Sequence, residues 1–452
     1  MKQFYRYLSV LLMVFIIINT FFCFSDTAMA EENNNSDNDW PVAPEIVTQS
    51  AILIDADTGA ILYQKEAHTR LYPASTTKIL TGLLAIENCS MDEIVTFSST
   101  AANSVTYEDA SLGTKAGEEY TVEQALYGLL LYSANEIGYG LAEHVSGSLS
   151  SFTDLMNERA KELGAINSHF ANASGLHDEN HYTTAYDMAM IARGCYNNST
   201  FVNIDSTTTT YTIPATNKTA APRNIRHRHL MLKGREYYYE YCKGGKTGFT
   251  DQAGYTLVTF AEKNDIRLIC VCFKSGANER FQDTRALFDW GFNNFKKVTT
   301  TSSTINSLFT SDSYYQSRIY NNYGLNFNLK ASTLTIPNNK NIGEIYIDID
   351  DNYNSLNENG IYTSQLNFMC SDNIVGTTKI TLSSDDNIAA SSNLPLINPS
   401  QSAPAPSPKQ CIVINIWFLT AISISIIVIL YIIVIIKRIK KEKKQKRRKL
   451  RL

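Results

Sequence analysis

Residues 51–65 read AILIDADTGAILYQK, and residues 255–273 read YTLVTFAEKNDIRLICVCF. In each stretch two apolar runs flank a polar turn, Asp57-Thr58-Gly59 in the first and Lys263-Asn264-Asp265 in the second. That is the pattern of an antiparallel hairpin. The sequence between them is mostly of helical period, at Thr76 to Glu87, Thr121 to Val145, Ser151 to Leu163 and Thr184 to Arg193. Thr121, followed by Glu123 and Gln124, marks a helix start, and Leu163-Gly164 places a glycine just past a helix end. Arg280 to Phe295 adds a last amphipathic helix. Hairpins at both ends with helices between them predict an α+β fold, an antiparallel sheet flanked by helices, rather than a doubly wound sheet.

Outside this body, at 44–298, the composition changes. Residues 300–394 are rich in Asn, Ser, Thr and Ile, with alternating runs such as GEIYIDID, and predict a small all-β domain. Residues 395–410 form a Pro/Ser-rich, semi-rigid linker. Residues 411–436 carry no charge and are long enough for a transmembrane helix. The tail 437–452 holds eleven Lys or Arg and one Glu, which the positive-inside rule places in the cytoplasm. At the other end, Lys2 and Arg6 precede an apolar run closed by Ala28-Met29-Ala30, which predicts a signal peptide over 1–30. The expected protein is single-pass, with its body on the extracellular face of the cell membrane.

The net charge of −4 hides this asymmetry. Without the basic tail the body is distinctly acidic, which argues against nucleic acid as a partner. Cys270 and Cys272, two apart on one strand, are poorly placed to pair and read as small core residues. The chain has no CxxC pair, so structural zinc is not expected.

Three short motifs carry the chemistry. Ser75-Thr76-Thr77-Lys78 sits at a helix start after Pro73, and an i, i+3 spacing stacks Lys78 over Ser75. An amine within reach of a hydroxyl can take its proton. Ser133-Ala134-Asn135 falls at a break in an apolar helical stretch. Lys246-Thr247-Gly248 follows Gly244-Gly245 and leads into the second hairpin, where its edge can line a groove. Each motif alone is weak: SxxK also reads as a helix cap beside a surface lysine, and KTG as a turn at a strand end. The combination in this order is that of penicillin-binding proteins and serine β-lactamases.

The flanking sequence sharpens the resemblance. YPASTTKILTGLLAIE (72–87), LLLYSANEIGYGLAEHVSGS (129–148), LGAINSHFANASGLHDENHYTTAYDMAMIAR (163–193), GGKTGFTDQAGYTLV (244–258) and NERFQDTRALFDWGF (278–292) resemble D-alanyl-D-alanine carboxypeptidases, the low-molecular-weight penicillin-binding proteins. The resemblance implies a serine peptidase that removes the terminal D-alanine of peptidoglycan stem pentapeptides and is acylated by β-lactams, with no cofactor and no metal. Ser75 would be the nucleophile, Lys78 its base and Ser133 a proton relay, while Asn135 would bond Lys78 or the substrate amide. Lys246 and Thr247 would hold the terminal carboxylate, Gly248 would allow close approach, and the Ser75 and Phe249 N–H groups would form the oxyanion hole. The run Glu136-Ile137-Gly138-Tyr139-Gly140 departs from the small apolar residues usual in the family, which bears on local helix packing.

Other groupings carry less. His177-Asp178-Glu179-Asn180-His181 lacks the HExxH order of a zinc helix and reads as a loop. Arg223, Arg226, His227, Arg228 and His229 read as a solvated basic loop, with a patch facing anionic wall polymer as the sharper alternative. Asp187 reads as part of a polar network near the site or as a first-turn acid. A class A β-lactamase would add a carboxylate segment of ExxLN type after Ser133-Ala134-Asn135, and none is present. A non-catalytic wall-binding protein would not need Ser75, Lys78 and Lys246 intact.

Overall fold

The computed structural model describes residues 40–106, 110–301, 332–356 and 362–382. The expected signal peptide, linker, span and tail lie outside the described residues, among which no helix is long and apolar enough to cross a membrane. The chain divides into compact units of residues 1–383 and 384–452, and every described element falls in the first.

Both hairpins form. Strands β1 (Ser50–Asp55) and β2 (Ile61–Lys65) are one. The segment Cys242–Thr250 is β3, and Gly254–Lys263 and Ile266–Ser275 are β4 and β5. Asn264 and Asp265, both at positive φ, make the two-residue turn between β4 and β5, as the twist of a tight hairpin requires. The five strands order as β2-β1-β5-β4-β3, so β3, which carries the KTG motif, is an edge. Adjacent strands pair antiparallel throughout.

The helices fall on two sides, as strand alternation dictates. Ile52, Ile54, Val258, Ile269, Val271 and Phe273 face a large core shared with α1 (Lys78–Asn88), α2 (Val122–Tyr127), α3 (Asn135–Ser146), α4 (Leu149–Glu162), α5 (Ala185–Tyr196) and α6 (Ser199–Asp205). Leu53, Leu257, Leu268, Cys270 and Cys272 face the other way, against Phe281, Leu287 and Phe288 of α7 (Glu279–Asn294). The central strands are therefore apolar on both faces. Cys270 and Cys272 are buried free thiols there, in keeping with their reading as core residues.

The helix expected over Thr121 to Val145 is interrupted. Thr121 caps α2 through a full capping box with Gln124, but Gly128–Tyr132 widens into a π-helical turn and Ser133 adopts φ +70°. A π turn releases the regular ladder and re-aims the residues after it. In the departing run, Glu136 is buried and accepts from Leu112 N at 2.6 Å, so α3 packs by fixing the loop before it.

Beyond α7 the chain continues directly into β6 (Phe295–Thr299), which pairs with β7 (Thr333–Pro337). The strands β8 (Ile345–Leu356), β9 (Tyr362–Cys370) and β10 (Asn373–Leu382) form a three-stranded antiparallel sheet. Thr335 Oγ1 donates to Asp55 Oδ2 at 2.9 Å, and Thr377 N donates to Thr58 O at 2.7 Å. These bonds tie the C-terminal strands to the turn of the first hairpin.

Candidate active site

Ser75 lies on a 3-10 turn, Ala74–Thr77, that runs straight into α1. Ala74, just before it, holds φ +49°, a conformation that persists for a non-glycine residue only when its surroundings enforce it. The surroundings are visible. The Thr76 and Thr77 hydroxyls donate back to Pro73 O and Ala74 O at 2.7 and 2.9 Å, and Thr256 of β4 donates to Pro73 O at 3.0 Å. The serine turn is thus fastened from its own helix and from the sheet.

Lys78 is fully buried. Its Nζ donates to Ser75 Oγ at 2.9 Å, to Asn135 Oδ1 at 2.6 Å and to Ser174 O at 2.5 Å. Two sequence motifs fifty-seven residues apart therefore meet on one amine. The third acceptor, a backbone carbonyl, carries no signature in residue type. Asn172 orders its loop, accepting from Ser174 N at 3.1 Å and Gly175 N at 2.7 Å. Asn135 reaches the site because the chain leaves the π turn through Ser133, at φ +70°, and restarts as α3 at Asn135.

Strand β3 closes the site from the sheet side. A Cβ on Gly248 would come 2.9 Å from Ser75 N, so the strand lies against the nucleophile's amide and tolerates no side chain there. Alternation splits the motif. Lys246 and Gly248 turn towards Ser75 and the helical core, while Thr247 and Phe249 turn to the α7 side. Lys246 is not at the mouth of the groove, as a strand-edge cation would be; it is 2% exposed. Burial pulls its ammonium down to about 7; the Asp205 carboxylate pulls the other way, and Arg228 lowers it further. Phe249 is 51% exposed and its ring rests on Tyr255, 4.5 Å between centroids.

Two side chains beyond the motifs complete the surroundings. Arg280 of α7 lies 4.3 Å above the Tyr255 ring, and its buried Nε and Nη1 have no hydrogen-bond partner among the described residues. Such an orphaned guanidinium, stacked on the ring that also carries Phe249, is poised for an anion. The segment NERFQDTR was legible as a helix, but nothing in its spacing singled out Arg280. His181 accepts from Ala171 N at Nδ1, 3.0 Å, so its ring proton is on Nε2 and points at Thr77 Oγ1, 2.8 Å away. Burial drives this imidazole down to about 3. His181 is thus a neutral brace of the serine turn in the loop predicted over 177–181.

The basic segment before β3 differs from its reading as a solvated loop. His227 and His229 are buried, and Arg223 pairs with Glu118 at 2.8 Å. Only Arg226 and Arg228 alternate outward, with Arg228 stacked 4.0 Å over Tyr132. The period-two pattern of Ile225, His227, His229 and Met231 was the available signal. Asp187 is also inside, accepting from Asn167 N and Ser168 Oγ at 2.7 and 2.6 Å, where burial raises its carboxyl. Among the described residues, Cys89, Glu93 and His144 are the one trio with potential ligand atoms within 4.8 Å of one another, and none of them belongs to this site.

A serine hydroxyl bonded to a buried lysine, at the junction of a helical core and the edge of an antiparallel sheet, defines a serine acyl hydrolase of the penicillin-binding fold. The family pattern of the D-alanyl-D-alanine carboxypeptidases matches residues 37–277, and the chain belongs to that family. It is 33% identical over 294 residues to the D-alanyl-D-alanine carboxypeptidase DacF of Bacillus subtilis, covering 64% of this chain and 72% of the relative. It is 30% identical to DacC of Escherichia coli over 62% and 68% of the two chains. A crystal structure of a D-alanyl-D-alanine carboxypeptidase from Mycobacterium tuberculosis superposes with TM-score 0.52 at 29% identity, covering 57% of this chain and 95% of that one. The Streptomyces K15 DD-transpeptidase gives TM-score 0.52 at 28% identity, over 56% and 100%.

Proposed function

We propose that Ser75 is acylated by the penultimate D-alanine of peptidoglycan stem pentapeptides and that water then releases the shortened stem. The observation that carries this is the 2.9 Å bond between Ser75 Oγ and the Lys78 amine, itself held by Asn135 and Ser174. For the reaction Lys78 acts as the neutral amine: it keeps its bonds to Asn135 and Ser174, turns its lone pair to the Ser75 hydroxyl and takes that proton as Oγ attacks the scissile carbonyl carbon. The Ser75 and Phe249 N–H groups bear the developing oxyanion, each donor worth about 3 kcal/mol in comparable sites. Ser133 passes a proton to the departing D-alanine nitrogen. The peptide lies along the β3 edge with its terminal carboxylate between Lys246 on one side and Thr247 and Arg280 on the other. A β-lactam would place its ring carbonyl where the scissile carbonyl sits and leave a stable acyl-enzyme.

The β-lactamase alternative lacks support, because no added carboxylate segment comes after the second motif. In the proposed protein residues 300–394 form a β domain and 395–410 a stalk. Residues 411–436 serve as an anchor below an extracellular body, a role supported by their uncharged length and by the basic run after them. The test is release of free D-alanine from a D-Ala-D-Ala peptide by the membrane-bound full chain. Covalent penicillin labelling without any D-alanine release would instead mark a non-catalytic binding protein.

A further inference from the structure

We propose that Asp205, backed by His227, is the positioning residue that keeps Lys246 charged and in register for the substrate's terminal carboxylate; the proposal rests on the reading of Lys246 given above. Asp205 ends α6 and is buried directly beneath the start of β3. Its Oδ2 accepts from Gly245 N at 2.6 Å, one residue before Lys246. Its Oδ1 meets His227 Nε2 at 3.3 Å. Both oxygens therefore face donors, as a carboxylate requires.

The imidazole geometry fixes the direction of that second bond. His227 Nδ1 accepts from His229 N at 3.1 Å, so the ring carries its proton on Nε2 and donates to Asp205. His229 repeats the device: its Nδ1 accepts from Met231 N at 3.3 Å, and its Nε2 reaches Thr259 Oγ1 of β4 at 3.0 Å. A histidine that accepts at Nδ1 is neutral, so His227 orients Asp205 without cancelling its charge.

Backbone chemistry agrees. Gly244 and Gly245 hold φ +136° and +137°, and a Cβ on Gly244 would come 2.4 Å from Asp205 Oδ2. The double glycine lets the strand rest on the carboxylate. The charged and titratable groups facing Lys246 are Asp205 from α6 and Arg228 and His229 from the segment before β3. Those facing Asp205 also include Cys195 of α5 and Cys242 of β3, both kept as thiols by burial. Within this group Asp205 is the one anion opposing the burial of Lys246 and the repulsion of Arg228.

The experiment is the pH profile of kcat/KM on a free-acid D-Ala-D-Ala peptide for the native enzyme and Asp205→Asn. Loss of the Lys246 charge sets an alkaline limb, and kcat/KM reports it for the free enzyme. Removing the carboxylate is expected to move that limb down by about one pH unit, a roughly tenfold loss at pH 8 relative to the native enzyme that shrinks towards pH 5.5. An unmoved limb, or an equal loss at every pH, overturns the proposal, since a merely structural pin would lower the whole curve. Asp205→Ser, which leaves room for water at Gly245 N, is read in the same way should the amide variant fail to fold. Lys246→Gln separates the two ideas. If it abolishes the preference for free acid over amide while Asp205→Asn leaves the limb in place, only the role of Asp205 fails. If it leaves that preference intact, the reading of Lys246 fails and this proposal with it.

Discussion

At the residue scale the site depends on two buried amines with different tasks. Lys78 touches the nucleophile, so Ser75→Ala should abolish covalent labelling by a fluorescent penicillin while the thermal unfolding curve stays close to native; persistent labelling would move the nucleophile elsewhere. Lys246 is, on the proposed function, the group that meets what distinguishes a carboxypeptidase substrate, its terminal carboxylate. A charge-assisted bond to a carboxylate contributes about 1.5–3 kcal/mol, or roughly one to two decades in kcat/KM. An amidated peptide should therefore be the poorer substrate by that margin, and Lys246→Gln should bring the two together. Lys246→Arg should recover only part, because a planar guanidinium is a different shape from an ammonium. Since burial holds Lys246 near 7, the advantage of the free acid should be largest below that pH and decline above it, as the ammonium deprotonates. Equal kcat/KM for acid and amide across the pH range would refute carboxylate recognition by Lys246. Ser75, Lys78, Ser133, Asn135 and Lys246 were legible because each belongs to a compact motif and the three motifs occur together in one order. Asp205 and the Ser174 carbonyl have no such spacing, and only folding sets them beside those motifs.

At the element scale the serine turn is braced rather than merely capped. His181, from a loop about a hundred residues downstream, reaches Thr77 within that turn. Its imidazole is held near 3 when folded, against about 6.5 when unfolded. The unfolded chain thus binds a proton that the folded one does not, between roughly pH 6.5 and 3. Stability contributed by neutral His181 is complete above pH 6.5 and declines as the pH falls through that window, by at most about 1.4 kcal/mol per pH unit. His181→Gln should flatten the fall in melting temperature between pH 6.5 and 4; an unchanged slope would show that His181 is not responsible. Element identity was mostly readable. Thr121 and Gly164 marked a helix start and a helix end, and the hairpins came from alternation. The exception was the π turn at Gly128–Tyr132: the sequence marks a break at Ser133-Ala134-Asn135, but nothing in the apolar residues before it signals the wider turn.

At the scale of the whole molecule, the catalytic body and the strands after it share hydrogen bonds at the first hairpin's turn. The ends are readable only as sequence. If residues 411–436 anchor the protein, a chain stopped at residue 410 should appear in the medium and still release D-alanine; retention on the membrane would point to an uncleaved N-terminal segment. By itself the sequence determined the two hairpins, the main helices between them, the three motifs and the family, because these are written in period and in local spacing. Tertiary structure alone decided that Lys246 is buried. It also decided that a carboxylate from α6 bonds the start of β3 and that a guanidinium from α7 stacks on Tyr255 of the neighbouring strand β4. Burial and through-space charge depend on which distant segments pack together, and no local pattern records that.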